Sequence, residues 1–223
     1  MTDLASSYGY QPCADVHSER LTWAQTRYLM RADFQRLEQW YGGGSFSRRL
    51  FWRLQPNYQA LYWYRIYRYL FVNGWRNAAR LLFLFSLYLT RVEISPTTSI
   101  GPGCLIAHAT GIVIFGKIGA RFSIYGESGM GGGFGVEDIG GGPGYPVVGD
   151  DVVFAYKSMA LGPVRIGDRA KLGPTAYVNY DVPANAVVLA PPCKVVIRSK
   201  DRQDATPMSV PDGDVGAAQE AQP

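Results

Sequence analysis

The chain has 223 residues, a formal net charge of +4 and three cysteines, enough for one compact domain with an appendage or for two small ones. Nearly half of it is apolar (47%), which excludes a disordered chain, and 26 glycines with 14 prolines exclude a plain helical bundle. Cys13, Cys104 and Cys193 are far apart and odd in number, which argues against a disulfide framework and fits a reducing compartment.

Residues 1–22 form a polar leader that carries acids and holds His17, unlike a signal peptide. Residues 23–91 are rich in arginine and aromatics. Helices are expected over about 23–40, 46–73 and 75–90, with Gly42-Gly43-Gly44 between the first two. From Arg48 to Val92 there are eight arginines and no Asp, Glu or Lys, together with Trp52, Trp63 and Trp75. The longest apolar run, Leu81 to Leu89, is about half of the roughly 20 residues a spanning helix needs. Two readings of this region stand side by side. It is a helical cap on the next region or an oligomer contact, or it meets an anionic membrane surface with its arginines at the headgroups. Nucleic acid is not expected, since the arginines fall in no known motif.

Residues 92–199 carry a strict period of six. Ile94, Ile100, Ile106, Ile112, Ile118 and Ile124 are all isoleucine. The series resumes at Val148 and continues through Phe154, Ala160, Ile166, Leu172 and Val178. The residue after the apolar one is often tiny (Gly101, Ala107, Gly119, Gly149, Gly167, Gly173), and the fifth position of each hexad is mostly small. Period six fits neither an amphipathic helix nor an alternating strand. It predicts a mainly β fold, a parallel β-helix of hexapeptide repeats with three hexads to each triangular coil. Between Ile124 and Val148 the pattern fails in a glycine-rich stretch, read as a loop at about 133–146. The last stretch, 200–223, is polar and small and reads as a disordered tail.

His108 lies at the third position of its hexad, pointing outward at a turn. The stretch Glu93 to Val196 resembles the hexapeptide-repeat acyltransferases, in particular the serine O-acetyltransferase branch. The resemblance rests on EISPTTSIGPG, LIAHATGIVI, IYGESGMGGGFG and IGDRAKLGPTAYV followed by DVPANAVVLAPPCKVV. It implies a left-handed coil, a homotrimer with active sites between neighbouring subunits, and acetyl-CoA as co-substrate. It makes His108 the general base and Glu93 the acid that orients it. It sets Gly131, Gly132 and Gly133 beside the thioester, and Lys171 and Lys194 as candidates for the CoA phosphates. Tyr156 and Pro174 fall in the family's cofactor groove, where small residues with free amides are the rule. No metal is implied.

Three departures from the family stand out, the first two bearing on the acceptor and the third on the partner enzyme that the family's terminal isoleucine docks into. Ala107 stands where an aspartate precedes the catalytic histidine. Gly144-Tyr145-Pro146 replaces a word holding an arginine and a second histidine. The chain's last residues, Gln222-Pro223, differ from the family's docking isoleucine. The resemblance then extends to the acetyltransferases of exopolysaccharide and capsule biosynthesis, where Tyr145 and Glu127 would contact a saccharide. The expectation is a cytoplasmic O-acetyltransferase moving acetyl from acetyl-CoA to a sugar hydroxyl, with a possible contact to the inner membrane face. The alternatives are a divergent serine O-acetyltransferase and a non-catalytic β-helix scaffold or regulator.

Overall fold

A computed structural model describes residues 20–133 and 135–194. The leader up to residue 19, with His17, and the disordered tail expected at 200–223 lie outside the described residues. The chain divides into one unit up to Ala190 and a second from Pro191. Of the second, Pro191 to Lys194 are described, all exposed and without regular structure.

Four helices come first. α1 (Trp23–Trp40) starts at Thr22, whose side chain accepts from the Gln25 amide while Gln25 accepts from the Thr22 amide. α2 (Phe46–Leu54) and α3 (Pro56–Val72) are separate, although the apolar pattern predicts one helix over 46–73. Pro56 explains the break. It has no N–H to donate and forces Gln55 into extended backbone, ψ 142°. α4 (Arg76–Thr90) ends at Arg91, which is left-handed with φ 60°.

The rest is a left-handed parallel β-helix of about five turns. Its strands are β1 (Val92–Ile94), β2 (Ser99–Ile100), β3 (Leu105–Ile106), β4 (Ile112–Ile114), β5 (Lys117–Ile118), β6 (Ser123–Ile124), β7 (Gly129–Gly131), β8 (Val147–Val148), β9 (Val153–Phe154), β10 (Met159–Leu161), β11 (Arg165–Ile166), β12 (Lys171–Leu172), β13 (Tyr177–Val178) and β14 (Val187–Val188). Every third strand as far as β13 shares a sheet, and β14 joins β12 because only an isolated bridge, Ile166 to Val182, lies on the face between; the three sheets run β1-β4-β7-β10-β13, β2-β5-β8-β11 and β3-β6-β9-β12-β14. Phe122, Ile124, Phe154 and Val178 are fully buried in the shaft. The tiny residue after the apolar one is explained by coil contact. A Cβ on Gly101 would stand 2.6 Å from the Gly119 carbonyl carbon of the next coil.

The ladder corrects one detail of the period. Ile94 stacks on Ile114 and not on Ile112. From Ile106 the ladder reaches Val113 in seven steps, whereas Ile124 to Gly129, Phe154 to Met159 and Leu172 to Tyr177 take five. The next corner is shorter by the same amount, with three steps from Ile114 to Lys117 against five from Ile94 to Ser99. The lengthened corner is the one that carries His108. Ile112 stays buried because β4 (Ile112–Ile114) turns both of its isoleucines inward.

The helices close the first coil. Coil amides donate to the following coil, as Gly101 N–H does to the Ile118 carbonyl at 2.9 Å. First-coil carbonyls therefore have no earlier coil to bond. α3 supplies the donors. Tyr67 Oη donates to the Ile94 carbonyl (2.6 Å) and Tyr64 Oη to Thr98 (2.9 Å). Arg68 donates to Pro96 (2.8 Å), and Arg65 to Ile100 (2.5 Å) and Gly101 (2.7 Å). Arg65 is buried and makes a two-toothed bond to Asp33 of α1, which also accepts from the Cys104 amide at 2.9 Å. Burial pushes the Asp33 carboxyl and the Cys104 thiol up, while the Arg65 guanidinium pulls both down. Arg65 and Arg68 thus belong to the cap and are not available to headgroups.

Asp33→Ala would leave Arg65 as a buried charge without its partner. Urea denaturation should show a loss of roughly 3–5 kcal/mol.

Candidate active site

The two extra residues at the His108 corner push it outward. Ala107 is buried and His108 exposed. Gly111 closes the corner with φ 60°, the conformation that Glu127, Lys157 and Thr175 adopt at the same place in later coils. The corner faces the break between α2 and α3. A pocket of about 580 Å³ lies there, lined by Ala107 to Thr110 and by Tyr41, Phe51, Gln55 and Asn57. Tyr41 Oη donates to Gln55 Oε1 at 3.1 Å, and Asn57 Oδ1 accepts from the Tyr58 amide at 2.9 Å. Among the described residues, no carboxylate, ammonium or guanidinium lines this pocket.

On its other side His108 meets later coils. Its ring centroid is 6.3 Å from that of Tyr125, which lies 6.0 Å from that of Trp40. A Cβ on Gly126 would come within 3.3 Å of both His108 Cβ and Tyr156 Cε2. Glycine there lets the histidine corner and Tyr156 close over the backbone. Tyr156 Oη donates to Glu127, and Lys157 Nζ is 3.3 Å from Glu127 Oε2. The Tyr156 hydroxyl, then Lys157, hold the Glu127 carboxyl below its usual range, and the bond to Glu127 raises the Tyr156 phenol.

A second cluster sits on the sheet that contains β1. Glu93, half-buried on β1, pairs in register with Val113, which pairs with Gly129, which pairs with Met159. Beside this ladder Gly131, Gly132 and Tyr145 line a pocket of about 440 Å³, with Phe115 and Leu161. Tyr145 stacks on Phe115 at 5.3 Å. Gly133 has no room for a side chain, since a Cβ would meet the Gly162 amide nitrogen at 2.9 Å.

The sequence-predicted residues therefore fall into groups. His108, Glu127 and Tyr156 come together, although Tyr156 is expected at the cofactor and Glu127 at the acceptor. Glu93, Gly131, Gly132 and Tyr145 form the other group. No hydrogen bond joins Glu93 to His108 within the chain. Lys171 on β12 and Pro174 at the following corner are exposed, and Lys194 is exposed in the second unit. Tyr41, Gln55 and Asn57 escape the sequence reading, because they lie in the helical region and only the fold carries them to His108.

A three-sided parallel coil with small residues at its corners is the architecture of the hexapeptide-repeat proteins. No family model matches the sequence. The serine acetyltransferase of Mycobacterium tuberculosis is 35% identical over 147 residues, 65% of this chain and 62% of that protein. The serine acetyltransferase of Bacillus subtilis is 31% identical over 157 residues, 69% of this chain and 70% of that one. The solved structure of Neisseria gonorrhoeae serine acetyltransferase in complex with serine has a TM-score of 0.65 at 26% identity, covering 77% of this chain and 69% of that chain. The chain belongs to the serine acetyltransferase family. It spans 62% of the mycobacterial relative's length.

Tyr156→Phe removes the main donor to Glu127. The Glu127 carboxyl should then titrate at higher pH, which a carboxyl-carbon NMR titration would read. The bond is exposed, so the melting temperature should hardly move.

Proposed function

We propose that the chain is an acetyl-CoA-dependent O-acetyltransferase with His108 as its general base. The observation that carries this reading is the lengthened corner, which sets one exposed imidazole at the mouth of an uncharged pocket. An acceptor hydroxyl in that pocket would give its proton to the His108 ring as its oxygen attacks the thioester carbonyl. The tetrahedral intermediate then expels the CoA thiolate, and the imidazolium returns the proton. Glu93 takes the role of orienting acid through its match to the family's acid. The pocket at Gly131 and Gly132 is walled by Val113, Met159 and Leu161, and an apolar slot with glycine on one wall fits an extended thioester arm. Lys171 would serve the CoA phosphates. His108 and the glycine slot fall in different groups on one chain, which supports the family's trimer, with each site shared between neighbours.

Serine is the acceptor that the relatives support, and nothing in the comparisons supports a saccharide. The exopolysaccharide reading keeps one observation in its favour. Serine at neutral pH carries an ammonium and a carboxylate, and the His108 pocket offers neither a counter-charge. Tyr41, Gln55, Asn57 and Thr110 are neutral groups of the kind that bond hydroxyls. The expected place of work is the cytoplasm, with the membrane contact as part of the proposal. Among the described residues no helix is long and apolar enough to cross a membrane.

His108→Ala should lower kcat by roughly 10²–10⁴ with the β-helix intact, since an exposed corner residue is not core. Glu93→Gln should lower it less. Activity within a few fold of wild type in His108→Ala would rule the base out. Mass spectrometry after incubating the protein with acetyl-CoA and either L-serine or a panel of sugars decides the acceptor. O-acetylserine is the product expected from the family. Acetylated sugar without it would favour the saccharide.

A further inference from the structure

Helix α4 carries apolar side chains on both its inward and its outward face. The residues it buries against the protein are small or hydroxylated: Ala79, Ser86 and Thr90. Thr90 Oγ1 donates to the Ser86 carbonyl at 2.7 Å, so its hydroxyl is satisfied within the helix. Leu82 and Phe83 are half-buried against the core, Phe83 on the Tyr67 ring, while a second set of large apolar residues points to solvent. Leu81 is 70% exposed and Tyr88 79%, with Leu84, Phe85 and Leu89 about half exposed between and beside them. Spacings of three, four, seven and eight put all five on one stripe. A stripe of this kind does nothing for the stability of an isolated chain, and contiguous apolar patches of this kind mark contact sites.

The charge around the stripe selects what covers it. Arg76 and Arg80 in the first half of α4 and Arg91 at its end are exposed. Trp75, just before the helix, is 68% exposed. No Asp or Glu occurs from Arg48 to Val92. Two copies meeting symmetrically on this face would set arginine against arginine with no carboxylate on the helix to neutralise them. A lipid surface with anionic headgroups matches both features. It takes the apolar stripe into the acyl boundary and the arginines at the phosphates, with Trp75 at headgroup level. We propose that the outward face of α4 docks the protein on an anionic lipid surface, lying in its plane and not crossing it. Arg65 and Arg68 take no part, being engaged in the cap. The inference uses neither the base nor the acceptor assignment.

The test is sedimentation of the full chain with vesicles of phosphatidylcholine plus phosphatidylglycerol, and with phosphatidylcholine alone. Wild type should pellet with the anionic vesicles and be released in part by raised salt. Leu81→Ser combined with Tyr88→Ser should weaken the binding by about tenfold or more, and Arg76→Gln combined with Arg80→Gln by about tenfold. Far-UV circular dichroism and acetyl transfer should be unchanged in both, because neither pair touches the cap or the His108 corner. Wild type left in the supernatant with both vesicle types would overturn the proposal, as would equal binding to neutral vesicles or variants that bind like wild type. A change of copy number in Leu81→Ser/Tyr88→Ser, without vesicle binding by the wild type, would make the face an interface between copies instead.

Discussion

A parallel coil bonds each turn to the next and leaves its first turn with a row of bare carbonyls. Buried without donors, each would cost about 1–3 kcal/mol, so the first coil must be capped before the rest can stack. Here α3 does this with side chains. Two tyrosine hydroxyls and two guanidinium groups reach Ile94, Pro96, Thr98, Ile100 and Gly101. Arginine suits the task because its fork bonds two carbonyls and a carboxylate at once. Asp33 makes its burial tolerable. The same contacts fix where α1 and α3 sit, and hence the start of α3 that faces His108.

The coil was legible because a hexad is a local pattern. Isoleucine recurs every six residues from Ile94 to Ile124, and glycine follows where neighbouring coils touch, as at Gly101 and Gly119. The slip at Ile112 was not legible, because β4 buries both Ile112 and Ile114 and either satisfies the pattern. The break at Pro56 was written in the sequence, but the apolar stripe ran through it. The arginines show the limit of spacing arguments. Arg65 and Arg68 have the same helical separation as residues on an open face, yet partners at Asp33 and in the first coil bury them. Long-range partners leave no trace in local spacing.

The site was half legible. His108 stands out as the one histidine of the repeat, and its corner holds it at a pocket. Glu127 and Tyr156 were given to different ligands, although 29 residues of chain, most of them the excursion between β7 and β8, bring them side by side. Tyr41, Gln55 and Asn57 are polar residues of ordinary helices, chemically silent until α3 docks. The lining they make is neutral, and it takes shape only when the helices pack against the His108 corner.

The two residues gained at the His108 corner are returned at the next one, so Ile100 still meets Ile118 and Ile106 still meets Ile124 one full coil later. The contour of a coil is thereby conserved while its perimeter is redistributed. A corner can swell only if its neighbour shrinks, or the surplus must leave as an excursion, as it does between β7 and β8. This couples two surfaces that share no side chain. The reach of His108 toward its pocket and the tightness of the Phe115–Gly116 bend, which holds the ring under Tyr145, are set by one length. In this chain the pocket at one corner is widened by the same two residues that tighten the bend beside the other.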